Sequence, residues 1–134
     1  MSIKGGSSQS VIMQSLDIIS NARKAIEVEP DNPDAHFQYA RLLEHEGRLE
    51  DAGTEYLKAG EMKTDFADAY VCYANLLCRI GRYNDAETHY KKAICIAPRS
   101  YFARFSYAVM LEVMKRFEEA EDEYIAAASI STGI

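Results

Sequence analysis

From residue 10 onward, apolar and polar positions recur with a helical period. Short turns interrupt them, and the blocks repeat at one fixed spacing. In the central block, 67–100, the apolar stripe of one segment is broken at Gly81, resumes in a second segment and closes on Pro98. The blocks at 33–66 and 101–134 carry the same pattern in register. Ala40, Ala74 and Ala108 share one column, and Leu43, Leu77 and Leu111 another. Ala52, Ala86 and Ala120 form a third, Tyr56, Tyr90 and Tyr124 a fourth, and Ala59, Ala93 and Ala127 a fifth. Columns matching three times at one period mark an array of stacked helical hairpins, each unable to bury its apolar face alone.

The pattern predicts helices at about 10–29, 33–46, 49–62, 68–80, 83–96, 101–114 and 117–131. Ser10 is expected to cap the first. Its stripe of Val11, Ile12, Leu16, Ile18, Ile19, Ala22, Ala25 and Ile26 is wide enough to need cover on more than one side. Asp31 or Asn32 can cap the second, with Pro33 at its first position. Gly47 and Gly81 stand where a helix end needs positive φ, and Lys115 stands there in the third block. Gly53 and Gly60 lie inside the helix at 49–62. Each costs about 0.5–1 kcal/mol relative to Ala, so that helix is expected to be the weakest.

Period and columns together resemble the tetratricopeptide repeat family. Its small residues, its aromatic in the second helix and the alanine after it are the columns above, and its closing proline is present as Pro30 and Pro98. Thr64 and Thr132 replace that proline in the other copies, and His36, Tyr70 and Arg104 stand where the family has an early tryptophan. The resemblance implies an all-α solenoid of about seven helices in a right-handed superhelix, with the first helix of each repeat lining a concave face. The expected organisation is a flexible tail over 1–9 and a repeat domain over 10–134, divided into a half repeat (10–32) and repeats 33–66, 67–100 and 101–134.

A hydrophobic fraction of 48% supplies a core and argues against disorder. A net charge of −6 argues against a general nucleic-acid binder. No apolar run approaches the roughly 20 residues that span a bilayer. Cys72, Cys78 and Cys95 are odd in number and lack a C-x-x-C spacing, which fits a reduced, cytoplasmic setting. His36, His45 and His89 lack the spacing of a helical zinc site and are expected on helix surfaces. No nucleophile, base and anion site converge, so neither an enzyme nor a cofactor is expected. The acidic run 118–123 reads as a solvated face.

The sharper expectation concerns the first helices. Helical spacing places Phe37, Gln38, Arg41 and His45, then Val71, Asn75 and Arg79, then Phe102, Phe105 and Val109 on the face that lines the groove in the resembled family. Phe102, Phe105, Val109 and Val113 form a stripe that repeat packing does not require. Either a partner or a covering helix is expected there. Family members that clamp a chaperone's terminal carboxylate use Lys, Asn, Asn, Lys and Arg at the positions held here by Phe37, Arg41, Cys72, Phe102 and Ser106, so that activity is not expected. The expected function is a protein-interaction module binding a partner peptide or helix in the groove. The alternative is an architectural segment of a larger assembly or longer array. The half repeat and the apolar stretch 125–134 read as ends completed by something else, the latter a route to self-association.

Overall fold

The computed structural model describes residues 17–133, and the expected tail over 1–9 and the Ser10 cap lie outside them. The described residues form seven helices and no strand: α1 (17–28), α2 (Pro33–His45), α3 (Leu49–Met62), α4 (Ala67–Arg79), α5 (Tyr83–Ile96), α6 (Tyr101–Val113) and α7 (Phe117–Thr132). The tightest pairings are α2 with α3, α4 with α5 and α6 with α7. These hairpins stack through α3 on α4 and through α5 and α4 on α6. The solenoid expected from the period is the architecture observed.

Local sequence explains the helix ends. Asn32 Oδ1 accepts from the amides of Asp34 and Ala35 at 3.0 and 3.3 Å, and Ser100 Oγ from that of Ala103 at 3.1 Å. Both satisfy amides that a helix start leaves unpaired. Each hairpin turn returns the amide of Arg48, Arg82 or Arg116 to the carbonyl of Leu43, Leu77 or Leu111 at 2.9 Å. That closure needs a left-handed residue one position earlier. Gly47 (φ 82°) and Gly81 (φ 83°) supply it freely, whereas Lys115 adopts it at φ 64°. The lysine does so against the steric cost of a side chain. The same three arginines pair with Asp51, Asp85 and Glu119 in the first turn of the second helices, where carboxylates also meet the positive end of the helix dipole.

The alanine columns let helices approach closely. Ala40, Ala52, Ala59, Ala74, Ala86, Ala93 and Ala108 are fully buried, and Tyr56 and Tyr90 fill the space between hairpins. Their hydroxyls turn back to the first helix of their own hairpin: Tyr56 donates to Glu44 at 2.8 Å, and Tyr90 to Asn75 with Cys78 Sγ at 3.6 Å. Tyr124 donates to Glu112 at 2.7 Å but stays half-exposed, because no helix among the described residues packs over α7.

One reading of the sequence needs correction. His36, expected on a helix surface, is buried. Its Nδ1 lies 2.6 Å from Glu55 Oε2 and its Nε2 2.7 Å from the Pro30 carbonyl oxygen. One period further, Tyr70 stacks on His89; a further period on, Arg104 pairs with Glu123 at 3.1 Å and donates to the Pro98 carbonyl. The column where the resembled family has tryptophan therefore joins the two helices of each hairpin by polar or aromatic contact. The glycines of α3 are also places of close approach. A Cβ at Gly60 would sit 2.8 Å from Tyr70 Cζ, and one at Gly53 3.2 Å from Tyr73 Cε1.

Candidate interaction face

The first helices of the hairpins, α2, α4 and α6, carry the residues singled out from the sequence. Two depressions lie among them. One, of about 340 Å³, runs between α4 and α6 and is lined by Asn75, Cys78, Arg79, Phe105, Val109 and Val113, with Tyr83, Tyr90, Ser106 and Met110 around them. The other, also about 340 Å³, is polar and lined by Arg41, Glu44, His45, Tyr56 and Arg79. Arg79 belongs to both and joins them.

The structure thus brings together Arg41, His45, Asn75, Arg79, Phe105 and Val109. Gln38 is exposed and Phe102 is 42% exposed, but neither lines either of these two depressions. Phe37 is half-buried against the Tyr56 ring at 5.6 Å and the Phe66 ring at 5.0 Å, so most of its apolar surface is used inside the fold. Val71 is a correction. It is fully buried in the cluster that holds Tyr90, Ala103, Tyr107 and Leu111. The reason is that α4 packs directly on α6, which covers the side of α4 that a single amphipathic helix would leave open.

Two features tune the polar end. Arg79 Nη1 reaches back to Glu44 Oε2 at 2.9 Å, the same carboxylate that accepts from Tyr56. This arginine therefore ties the first two hairpins together. Arg41 forms no ion pair among the described residues. The Cys72 thiol beside this end is pushed up to about 12, by burial first and then by the Glu44 and Asp68 charges. At neutral pH it is therefore a packing group with no thiolate character. Glu44 is the residue that sequence reasoning missed. The available signal was its place twelve residues before a column tyrosine, shared with Glu112.

The apolar end has no such engagement. Phe105 and Val109 are both 40% exposed and Val113 58%. Phe105 stacks on Tyr101 at 5.6 Å and meets the Tyr124 ring edge at 5.5 Å, which fixes its orientation while leaving much of the ring in solvent. No group of three or more His, Cys, Asp or Glu side chains able to hold a metal occurs among the described residues. None of the described helices is long and apolar enough to cross a membrane.

Two sequence profiles of the tetratricopeptide repeat match the chain, one over residues 21–54 and one over residues 74–132. Among solved structures the chain is similar to a crystal structure of MamA, with a TM-score of 0.81, 21% identity and coverage of 98% of this chain and 77% of that one. A second MamA structure aligns with a TM-score of 0.78 and 21% identity over 97% of this chain and 71% of the other. PilF of Pseudomonas aeruginosa aligns with a TM-score of 0.72 and 17% identity over 82% of this chain and 50% of its own. At these identities the likeness is one of fold. No curated protein sequence matches the chain.

Proposed function

The chain belongs to the tetratricopeptide-repeat family of protein-interaction scaffolds, and on that premise we propose that it binds a partner peptide or short helix along the face of α2, α4 and α6. The observation that carries this reading is the exposed stripe Phe105, Val109 and Val113 beside a depression at the α4–α6 crossing. Apolar side chains that are oriented by neighbours yet left in water are the usual anchors of an interface. Arg41 at the other end adds a cation with no ion pair among the described residues, available to an acidic residue of the partner. The positions a terminal-carboxylate clamp would use are Phe37, Arg41, Cys72, Phe102 and Ser106, and only Arg41 carries a charge, so the ligand is an internal segment with apolar anchors.

The test is a displayed peptide library selected on the wild-type chain. Selected peptides should bind Phe105→Ala about 30-fold more weakly, the effect of losing an aromatic anchor worth roughly 2 kcal/mol. The melting transition should move little, since Phe105 is only partly buried. Equal binding by wild type and variant refutes the reading.

A second reading has its own support. On α7, a depression of about 450 Å³ is lined by Glu112, Phe117, Ala120, Glu121, Tyr124, Ile125 and Ala128. One period earlier, Tyr83, Ala86, Tyr90 and Ile94 belong to the core cluster shared with α6. The α7 face therefore has the form on which this fold packs a helix, which fits an architectural segment stacking on a neighbour. Light scattering across a concentration series separates the two: a monomer throughout argues for the free binding module, reversible association for the stacking segment.

A further inference from the structure

The two inner junctions of the solenoid use the same columns with different residues. At the junction of α5 with α6 and α7, Glu87 is held from two sides. Arg116 Nη1 donates to its Oε1 at 3.1 Å, Arg116 Nη2 stands 2.9 Å from its Oε2, and the Tyr107 hydroxyl donates to that Oε2. Lys91 Nζ stands 3.9 Å from Oε2. Arg116 can do this because its Nε and Nη2 are already fixed on Glu119, at 3.0 and 2.6 Å. One period earlier the recipient groups are present and the carboxylate is not. Arg82 is likewise fixed on Asp85 through Nε and Nη2, both on Oδ2, at 2.9 and 2.6 Å. Its Nη1 has no acceptor among the described residues, and neither does the Tyr73 hydroxyl, while the position of Glu87 is taken by Gly53 and that of Lys91 by Leu57.

The consequence is an open groove of about 450 Å³ between α3 and the α4–α5 hairpin, with Gly53 as its floor. Leu57, Tyr73, Leu76 and Ile80 give it apolar walls, and Arg82 stands at the side. Glu50 also lines it, and its carboxylate makes no ion pair with Arg82 among the described residues. None of these residues belongs to the α2/α4/α6 face proposed above. We propose that this groove is a second docking site, for a partner segment carrying an acidic side chain between aliphatic neighbours. The acid accepts from Arg82 Nη1 and the Tyr73 hydroxyl, as Glu87 does at the next junction, and the neighbours pack on Leu57 and Ile80. The charge complementarity is that of the neighbouring junction, and an arginine already oriented by one carboxylate loses little freedom in binding a second.

The probes are two capped tripeptides, acetyl-Leu-Glu-Leu-amide and acetyl-Leu-Gln-Leu-amide, titrated into the isotopically labelled full chain and followed by backbone amide shifts. The Glu peptide should shift the amides of Gly53, Leu57, Tyr73, Ile80 and Arg82. The Gln peptide should bind about tenfold more weakly, the loss expected for one charge-assisted hydrogen bond. Arg82→Gln should remove the preference for Glu over Gln. Gly53→Glu should supply the carboxylate from within the chain and abolish the shifts without lowering the melting temperature. Equal shifts from the two peptides, shifts confined to α2, α4 and α6, or no shifts at any soluble concentration each overturn the proposal. Such a result leaves the reading of Phe105 standing, because that reading is scored on a different face.

Discussion

Gly60 offers a test of how tightly α3 and α4 are fitted. Replacing it with alanine removes a poor helix former and by propensity alone should stabilise α3 by about 0.8–1 kcal/mol. The new Cβ would lie 2.8, 3.0 and 3.1 Å from Cζ, Cε2 and Cε1 of Tyr70. Carbon pairs are best separated by about 3.5–4.0 Å, so the ring must withdraw by roughly 0.7 Å. It has little room. Tyr70 is buried, His89 stacks on it at 6.1 Å and Lys92 Nζ lies 4.5 Å from its centroid. Overpacking of this kind costs about 1–3 kcal/mol, so Gly60→Ala should destabilise by about 1 kcal/mol net, a fall of roughly 3–5 °C in Tm for a chain of this size. Gly53→Ala is the control. Its Cβ would meet Tyr73 Cε1 at 3.2 Å and Leu76 Cδ2 at 3.9 Å, and Tyr73 is half-buried beside an open groove. The ring can give way, so the propensity gain should survive as about 0.5 kcal/mol of stabilisation. Urea unfolding followed by circular dichroism measures both. In a Tyr70→Leu background, Gly60→Ala should become stabilising, because the coupling belongs to that pair. A Gly60→Ala variant as stable as Gly53→Ala, or one indifferent to Tyr70→Leu, refutes the argument.

Four further outcomes are expected. Ala86→Leu, at a fully buried position of α5, should lower stability by about 1–3 kcal/mol in the same urea assay through overpacking. Lys115→Gly, at a left-handed position, should raise stability by about 0.5–1 kcal/mol, the relief of a strained side chain less the extra chain entropy of glycine; a fall in the denaturation midpoint would count against it. His36→Ala leaves Glu55 and the Pro30 carbonyl without their buried partner, so calorimetry should find a loss of about 1–3 kcal/mol. The carboxyl of Glu87 is held below its usual 4.5 by the hydrogen bond from Arg116 and then that from Tyr107. Its contribution is therefore present above that value and lost as pH falls through the lower folded-state value. Stability measured against pH should fall less steeply below 4.5 in Glu87→Gln than in wild type; parallel acid limbs would show that Glu87 carries none of the loss.

The candidate site was legible to different depths at its two ends. The stripe of α6 could be found from the sequence because it exceeds what the repeat columns need, and an excess of apolar residues at helical spacing is visible in one dimension. At the other end, the sequence places Arg79 on the groove face and shows no partner for it, yet it is held by Glu44, which lies 35 residues away. Nothing in local spacing distinguishes a paired arginine from an unpaired one. The same limit applies to the groove beside Gly53. The glycine was visible as a helix defect, but that it stands where Glu87 stands mattered only once Arg116 and Tyr107 were seen to converge on that carboxylate.

The sequence by itself determined the hairpins and their order, the turn positions and the columns that form the core. Those follow from period, from small residues at helix crossings and from the few residues that tolerate a helix end, all of which act over one or two turns of chain. The tertiary structure decided which side of each first helix is covered. Val71 went into the core because α4 packs on α6, His36 was drawn in between a carboxylate and a carbonyl, and Gly60 became the socket for Tyr70. Each outcome depends on the volume and angle of a neighbouring helix, and a single helix's own pattern of apolar positions does not encode these.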